Sequence, residues 1–125
     1  MEIKRIRNEL LLTTEAFKPS APSLTVVGVF NPGIASYKNE VILLVRIAEA
    51  PCDQIEGYKV SPRIVIENGK INYSFDKIKV SEGKEDKRNH GAIDSLARLP
   101  FISHLKIVRL QEDGYTLKPI EDNPA

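Results

Sequence analysis

Tryptophan is absent from this sequence, cysteine occurs once, and the remaining aromatics are four Tyr and four Phe. A single thiol, Cys52, closes no internal disulfide, which excludes a disulfide-stapled scaffold and fits a reducing compartment. Neither sign of charge is in excess: 18 Lys+Arg stand against 17 Asp+Glu, a net charge of +1. A chain so balanced has no global electrostatic reason to seek nucleic acid or anionic lipid. No apolar run approaches the ~18 residues of a membrane span. The charged start from Met1 to Arg7 is not followed by the apolar stretch of a secretory leader. The expectation is a cytoplasmic protein with neither membrane nor nucleic acid as partner. With 42% hydrophobic residues, seven Gly and eight Pro, the composition excludes collagen-like and wholly disordered classes. At 125 residues the chain is one domain's worth of polypeptide.

The common catalytic signatures are also missing. There is no CxxC, no HExxH and no paired histidine spacing, so no metal is expected. The glycines are scattered and form no phosphate-cradling loop, and no GxSxG elbow occurs. No cofactor is expected. Cys52 lacks the surroundings of a nucleophile and reads as a buried or inert thiol. Tyr73 and Phe75 near Lys77 and Lys79 are a faint version of a single-strand nucleic-acid platform, which needs more aromatics than this.

What the sequence does contain is short strands separated by turn signals. Residues 24–30 (LTVVGVF) are β-branched and dense, without helical period, and predict a buried strand. Asn31, Pro32 and Gly33 turn or bulge it, and residues 34–37 follow as a short second strand. Lys38 and Asn39 make a polar hairpin tip. Residues 40–47 (EVILLVRI) are the strongest strand, and five consecutive apolar residues predict burial on both faces. Residues 58–66 and 71–75 alternate around Asn68-Gly69, the type I′ hairpin signal. Residues 92–98 suggest a short helical turn, residues 101–110 a strand, and Asp113-Gly114 a turn into another strand. Before all of these, residues 1–22 form an extended arm, held in that geometry by Pro19 and Pro22. Its apolar patch at residues 10–12 pins it to a core.

Two side chains resist a purely scaffolding explanation. Asn31 sits where a buried strand breaks. An amide donates and accepts, which suits sugar hydroxyls, and it equally suits capping a turn. Arg46 falls within an apolar strand, where a buried guanidinium needs a carboxylate, carbonyl or ligand partner. Glu40 and Glu49 are near in sequence, so an ion pair and a ligand-facing arginine both remain open. Residues 81–91 are the most polar stretch, a solvated loop or a ligand-facing one carrying Asp86, Arg88 and His90. His104 lies alone on a strand.

The order FNPG at residues 30–33, LL-x-R at residues 43–46, ISHL at residues 102–105 and Asp113-Gly114 resembles glycoside hydrolase family 130, the β-mannoside phosphorylases and β-1,2-mannosidases. The opening residues 5–11 resemble the family's N-terminal arm, with Glu9 where proline is usual. The likeness runs over nearly the whole chain. It implies an all-β fold, part of a five-bladed β-propeller, with the arm (1–22) followed by about the first two blades (23–125). It also implies a β-mannoside oligosaccharide as ligand, with Asn31 and Arg46 beside the scissile bond and Asp86, Arg88 and His104 as further contacts. Inorganic phosphate would be co-substrate in a phosphorylase. The family's general acid lies in a Glu-Asp-Pro-Arg motif, which is absent; Glu121, Asp122, Asn123 and Pro124 only approach it.

A closed propeller needs at least ~4 four-stranded blades of ~40 residues each, more than this chain holds. The expectation is therefore the sugar-positioning portion of an inverting enzyme, inactive alone, with an open edge covered by further blades or by a second copy. The alternative is a free-standing small β-domain that binds carbohydrate or protein without catalysis. The two differ in whether residues 41–45 are fully covered.

Overall fold

The structure, a computed structural model, describes residues 1–79, 92–93 and 96–122. Among these the only helical element is a 3-10 turn at Thr14–Ala16, and everything else regular is strand. In chain order the strands are β1 (Leu24–Tyr37), β2 (Glu40–Pro51), β3 (Tyr58–Glu67), β4 (Lys70–Lys79), β5 (Ala92–Ile93), β6 (Leu96–Ala97) and β7 (Ile102–Leu110). All pairings are antiparallel, in three sheets ordered β1-β2-β7, β3-β4 and β5-β6.

The two hairpin tips follow the local chemistry. Lys38 and Asn39 have φ of 46° and 60°, and Asn68 and Gly69 have 50° and 74°, the doubly positive pattern of a type I′ turn. That turn twists with the strands, so β1 folds straight back onto β2 and β3 onto β4. The FNPG segment does not end its strand. β1 runs on through it to Tyr37, and the register to β2 slips between Phe30 and Gly33. Asn31 and Pro32 stand opposite Val45 alone, which is a bulge. Pro32 is tolerated because β1 is an edge strand, with no neighbour waiting for its missing N–H. Around residues 92–98 the expected helical turn is replaced by the β5–β6 pair, Ala92↔Ala97 and Ile93↔Leu96. Seven residues are too few to offset the cost of helix nucleation.

Strands β2 and β7 are neighbours in space although β3 to β6 intervene in sequence. Along the β1-β2-β7 sheet, directly paired residues share a face. Leu43, Val45 and Ile47 of β2 lie beside Val108 and Leu110 of β7, and Phe17 seals them into one core. Leu11 and Leu12 of the arm pack on this core from the N-terminal side and Ile120 from the C-terminal side, whereas Leu10 is exposed. Phe17, 6% exposed, is thus the arm's deepest anchor.

The opposite face is open. Leu44 is 39% exposed, Leu105 43%, Phe30 41% and Ile107 38%. The expectation that β2 is buried on both faces is corrected accordingly: apolar residues fall on both parities, but only one face has a cover. The segment after β7 returns beside it through Gln111 N–H to Thr116 O and Lys118 N–H to Arg109 O, with Leu110 bridging Leu117. It is one bridge rather than a full strand.

Candidate functional site

Arg46 and Phe30 are paired across β1 and β2, and Leu105 of β7 continues the same row. All three point to the open face. The Arg46 guanidinium lies 4.1 Å from the centroid of the Phe30 ring, a cation–π stack. The ring lies so close to the backbone of Gly28 that a Cβ there would sit 2.7 Å from two ring carbons. Gly28 is needed for the absence of a side chain, which lets the aromatic ring lie flat under the guanidinium. Two bulges bracket this row, one at Val27 and one at Asn31 and Pro32. Bulges re-aim side chains, and the second leaves Asn31 exposed immediately beyond the Phe30–Arg46 pair.

Arg46 is exposed, not buried as its apolar neighbours suggested. Nor does either nearby carboxylate serve it. Glu40 accepts from Arg109 at 2.9 Å and from Lys118, and these partners hold its carboxyl below the ordinary 4.5, with the Lys118 hydrogen bond the largest cause. Glu49 faces the other side of the sheet. Among the described residues no carboxylate pairs with Arg46, which keeps its fork for something else.

His104 is directly paired with Ile47 and so lies on the covered face, opposite Arg46. Its Nε2 is 2.9 Å from Oε2 of Glu49, which is fully buried. Ser20 of the arm donates to the same carboxylate twice, from its backbone N–H to Oε1 at 2.5 Å and from its hydroxyl to Oε2 at 2.5 Å. Ser20, His104 and Glu49 do not form a hydrolytic triad. Such a relay passes through both ring nitrogens, whereas here one nitrogen meets both partners and Nδ1 is buried without any.

The five candidates thus separate. Arg46 stacks on Phe30, Asn31 is exposed in the bulge that follows Phe30, His104 is on the far face, and Asp86 and Arg88 lie outside the described residues, as does His90. Three residues of the site and its support went unnoticed in the sequence. Phe30 is the platform for Arg46, and its signal was its place directly before Asn31. Ser20 and Phe17, on the arm, had no signal beyond their neighbouring prolines. Cys52 is exposed and free, with Sγ 3.7 Å from the Pro22 carbonyl, not a buried thiol. A cleft of about 340 Å³ opens where β2 leads into β3, lined by Pro51, Asp53, Tyr58 and Lys59 among others, and contains none of the five. Among the described residues no group of His, Cys, Asp and Glu is placed to hold a metal, and no helix is long and apolar enough to cross a membrane.

No family model matches the chain. A curated protein, the β-1,2-mannobiose phosphorylase of Listeria innocua serovar 6a, is 27% identical over 125 residues, covering 92% of this chain and 33% of its own length. A solved structure, the β-1,2-mannobiose phosphorylase from Listeria innocua in complex with β-1,2-mannobiose, superposes with a TM-score of 0.65 at 23% identity. That superposition covers 91% of this chain and 33% of the other. The chain spans about a third of the length of the curated relative it matches. The resemblance carried by FNPG, LL-x-R and ISHL is therefore borne out by a sequence and by a structure: nearly all of this chain is similar to one third of a β-1,2-mannobiose phosphorylase.

Proposed function

We propose that the chain is the sugar-positioning portion of a β-mannoside phosphorylase or mannosidase built as a five-bladed propeller. The observation that carries this is the Phe30–Arg46 stack on an uncovered sheet face, with the exposed Asn31 next to Phe30 in the chain. An aromatic ring, a guanidinium with no carboxylate partner among the described residues, and an amide together offer what a sugar ring and its hydroxyls require. Asn31 and Arg46 contact the mannosyl unit in this reading. His104 does so only if it leaves Glu49, and Asp86 and Arg88 belong to the proposal on the family likeness alone.

The topology supports one blade rather than two. β1, β2, β7 and the returning segment at residues 115–118 follow one another as an antiparallel meander, the pattern of a four-stranded blade. β3 and β4 are an excursion between its second and third strands. The exposed Leu44–Ile107 pair, one row along the open face from Arg46, is where a neighbouring blade packs, with the Phe30–Arg46 row left at its border, and it weighs against the free-standing binding domain. The general acid and, in a phosphorylase, the phosphate ligands come from outside these residues. Inversion then proceeds by attack of phosphate or water on the anomeric carbon while the acid assists the leaving sugar.

NMR titration of the 125-residue chain with β-1,2-mannobiose tests the site. Shifts are expected at Asn31, Phe30 and Arg46 and are abolished in Arg46→Ala. Shifts confined to the cleft beside Tyr58 would move the site elsewhere. The chain alone releases neither mannose nor mannose 1-phosphate from β-mannobioses; turnover by it would overturn the division of labour.

A further inference from the structure

The arm is held by two dissimilar devices placed three residues apart. Phe17 is an apolar plug in the core of the β1-β2-β7 sheet. Ser20 is a polar clasp on Glu49. The plug sets depth without direction, since burial of a ring is not directional. The clasp is directional, and it depends on charge. Glu49 is 0% exposed, and an ionised carboxylate at such a site persists only if its lone pairs are filled. Three donors fill them: Ser20 N–H, Ser20 Oγ–H and His104 Nε2–H. Two of the three come from the arm. The third must be the Nε2–H of His104, because a carboxylate only accepts, which leaves Nδ1 buried and without a partner.

We propose that Glu49 and His104 form a latch for the N-terminal arm, and that Ser20 is its bolt. With the latch closed, residues 1–22 lie on the sheet and Phe17 stays in the core. With it open, Glu49 keeps only His104 and takes water in place of Ser20, the β2–β7 pairing stands, and the Phe17 slot opens. The arm and the carboxylate are coupled in both directions, as linked equilibria must be. Whatever removes an acceptor oxygen of Glu49 frees the arm, and whatever lifts the arm wets Glu49. Elsewhere the arm's polar ties are to the surface: Arg7 stacks 3.6 Å over Tyr115, and Lys18 meets Asp122 at 3.3 Å with both side chains mostly exposed. Such contacts hold weakly in water, so among the arm's polar ties the latch is the one that fixes how the Phe17 plug is seated.

Hydrogen exchange of the intact chain tests this in the wild type, Ser20→Ala and Glu49→Gln. Ser20→Ala removes one donor from an exposed residue and leaves the carboxylate buried. Glu49→Gln keeps the shape but replaces one acceptor oxygen with a donor group. The expected result is exchange at residues 10–22 faster by roughly tenfold or more in both variants, with β2 and β7 amides unchanged in Ser20→Ala. If Glu49→Gln accelerates exchange everywhere, Ser20→Ala alone decides. Arm amides that exchange at the wild-type rate in Ser20→Ala overturn the proposal. So does a rise in arm and sheet together in that variant, which would make the cluster an ordinary part of the core.

Discussion

The two faces of the β1-β2-β7 sheet carry nearly the same composition and meet opposite fates. On one, Leu43, Val45, Ile47, Val108 and Leu110 are 5% exposed or less under Phe17. On the other, Leu44, Leu105 and Ile107 stand open beside Arg46. The polar groups differ accordingly. Under the cover the two buried charged groups have internal partners: Glu49 has Ser20 and His104, and Lys106, 3% exposed, donates to the Asp122 carbonyl; His104 Nδ1 is the exception, buried without one. On the open face Arg46 has an aromatic ring and water. A covered face must satisfy its polar groups from within, whereas an open one can leave a guanidinium available for a ligand.

The sharpest break in this comparison is truncation of one aromatic on each face. Phe17→Ala should cost roughly 3–5 kcal/mol, since it opens a cavity in the core. Phe30→Ala should cost only about 1 kcal/mol, the worth of an exposed cation–π stack. Urea midpoints of the two variants measure the gap; equal losses would mean that the open face is covered in solution. Next in size is a charge on that face. Ile107→Glu should change the stability of this chain by no more than about 0.5 kcal/mol. In a longer polypeptide that supplies the neighbouring blade it should cost several times as much, and comparing thermal midpoints of the two proteins reads the difference.

A more local effect is expected at Gly28. Gly28→Ala puts a methyl where the Phe30 ring lies, so the ring must swing aside. Stability should fall by about 1 kcal/mol, with the stack itself lost. The ring-current shift on the Arg46 side chain reports it, and an unaltered shift would show that the ring has room.

Smallest is the acid limb. Glu40 is held below its ordinary 4.5 chiefly by Lys118, and Asp113 below its ordinary 3.8 chiefly by the Thr116 hydroxyl. For a carboxyl depressed in the folded state, the stabilisation is fully present above the unfolded value and vanishes as pH falls through the folded one. Urea midpoints should therefore decline below about pH 4.5. Glu40→Gln should flatten part of that decline and leave neutral pH little changed. A decline of undiminished steepness would assign it to other carboxylates.

Much of the candidate site was legible before any coordinates. Asn31 and Arg46 stood out because an amide at a strand break and a guanidinium in an apolar run both demand explanation; the break is a bulge in β1, and Arg46 stacks on the Phe30 that precedes it. What misled was Arg46's burial. Residues 41–45 are apolar at every position, so alternation is silent and two buried faces look the same as one. His104 misled for the complementary reason: one residue of register separates the Arg46 face from the Ile47 face, and sequence spacing alone does not set the pairing of β7 against β2. Ser20 was illegible because its partner, Glu49, is 29 residues away.

By itself, then, the sequence determined the local geometry. The positive-φ tips at Lys38-Asn39 and Asn68-Gly69, the extended habit of the β-branched runs and the bulge at Asn31 and Pro32 all follow from sterics within a few residues. Only the tertiary structure decided which sheet face receives the arm, that β7 returns to β2 past an intervening hairpin, and that Glu49 is buried while Arg46 is not. Those outcomes depend on contacts between distant segments, where register shifts of a single residue exchange one face for the other.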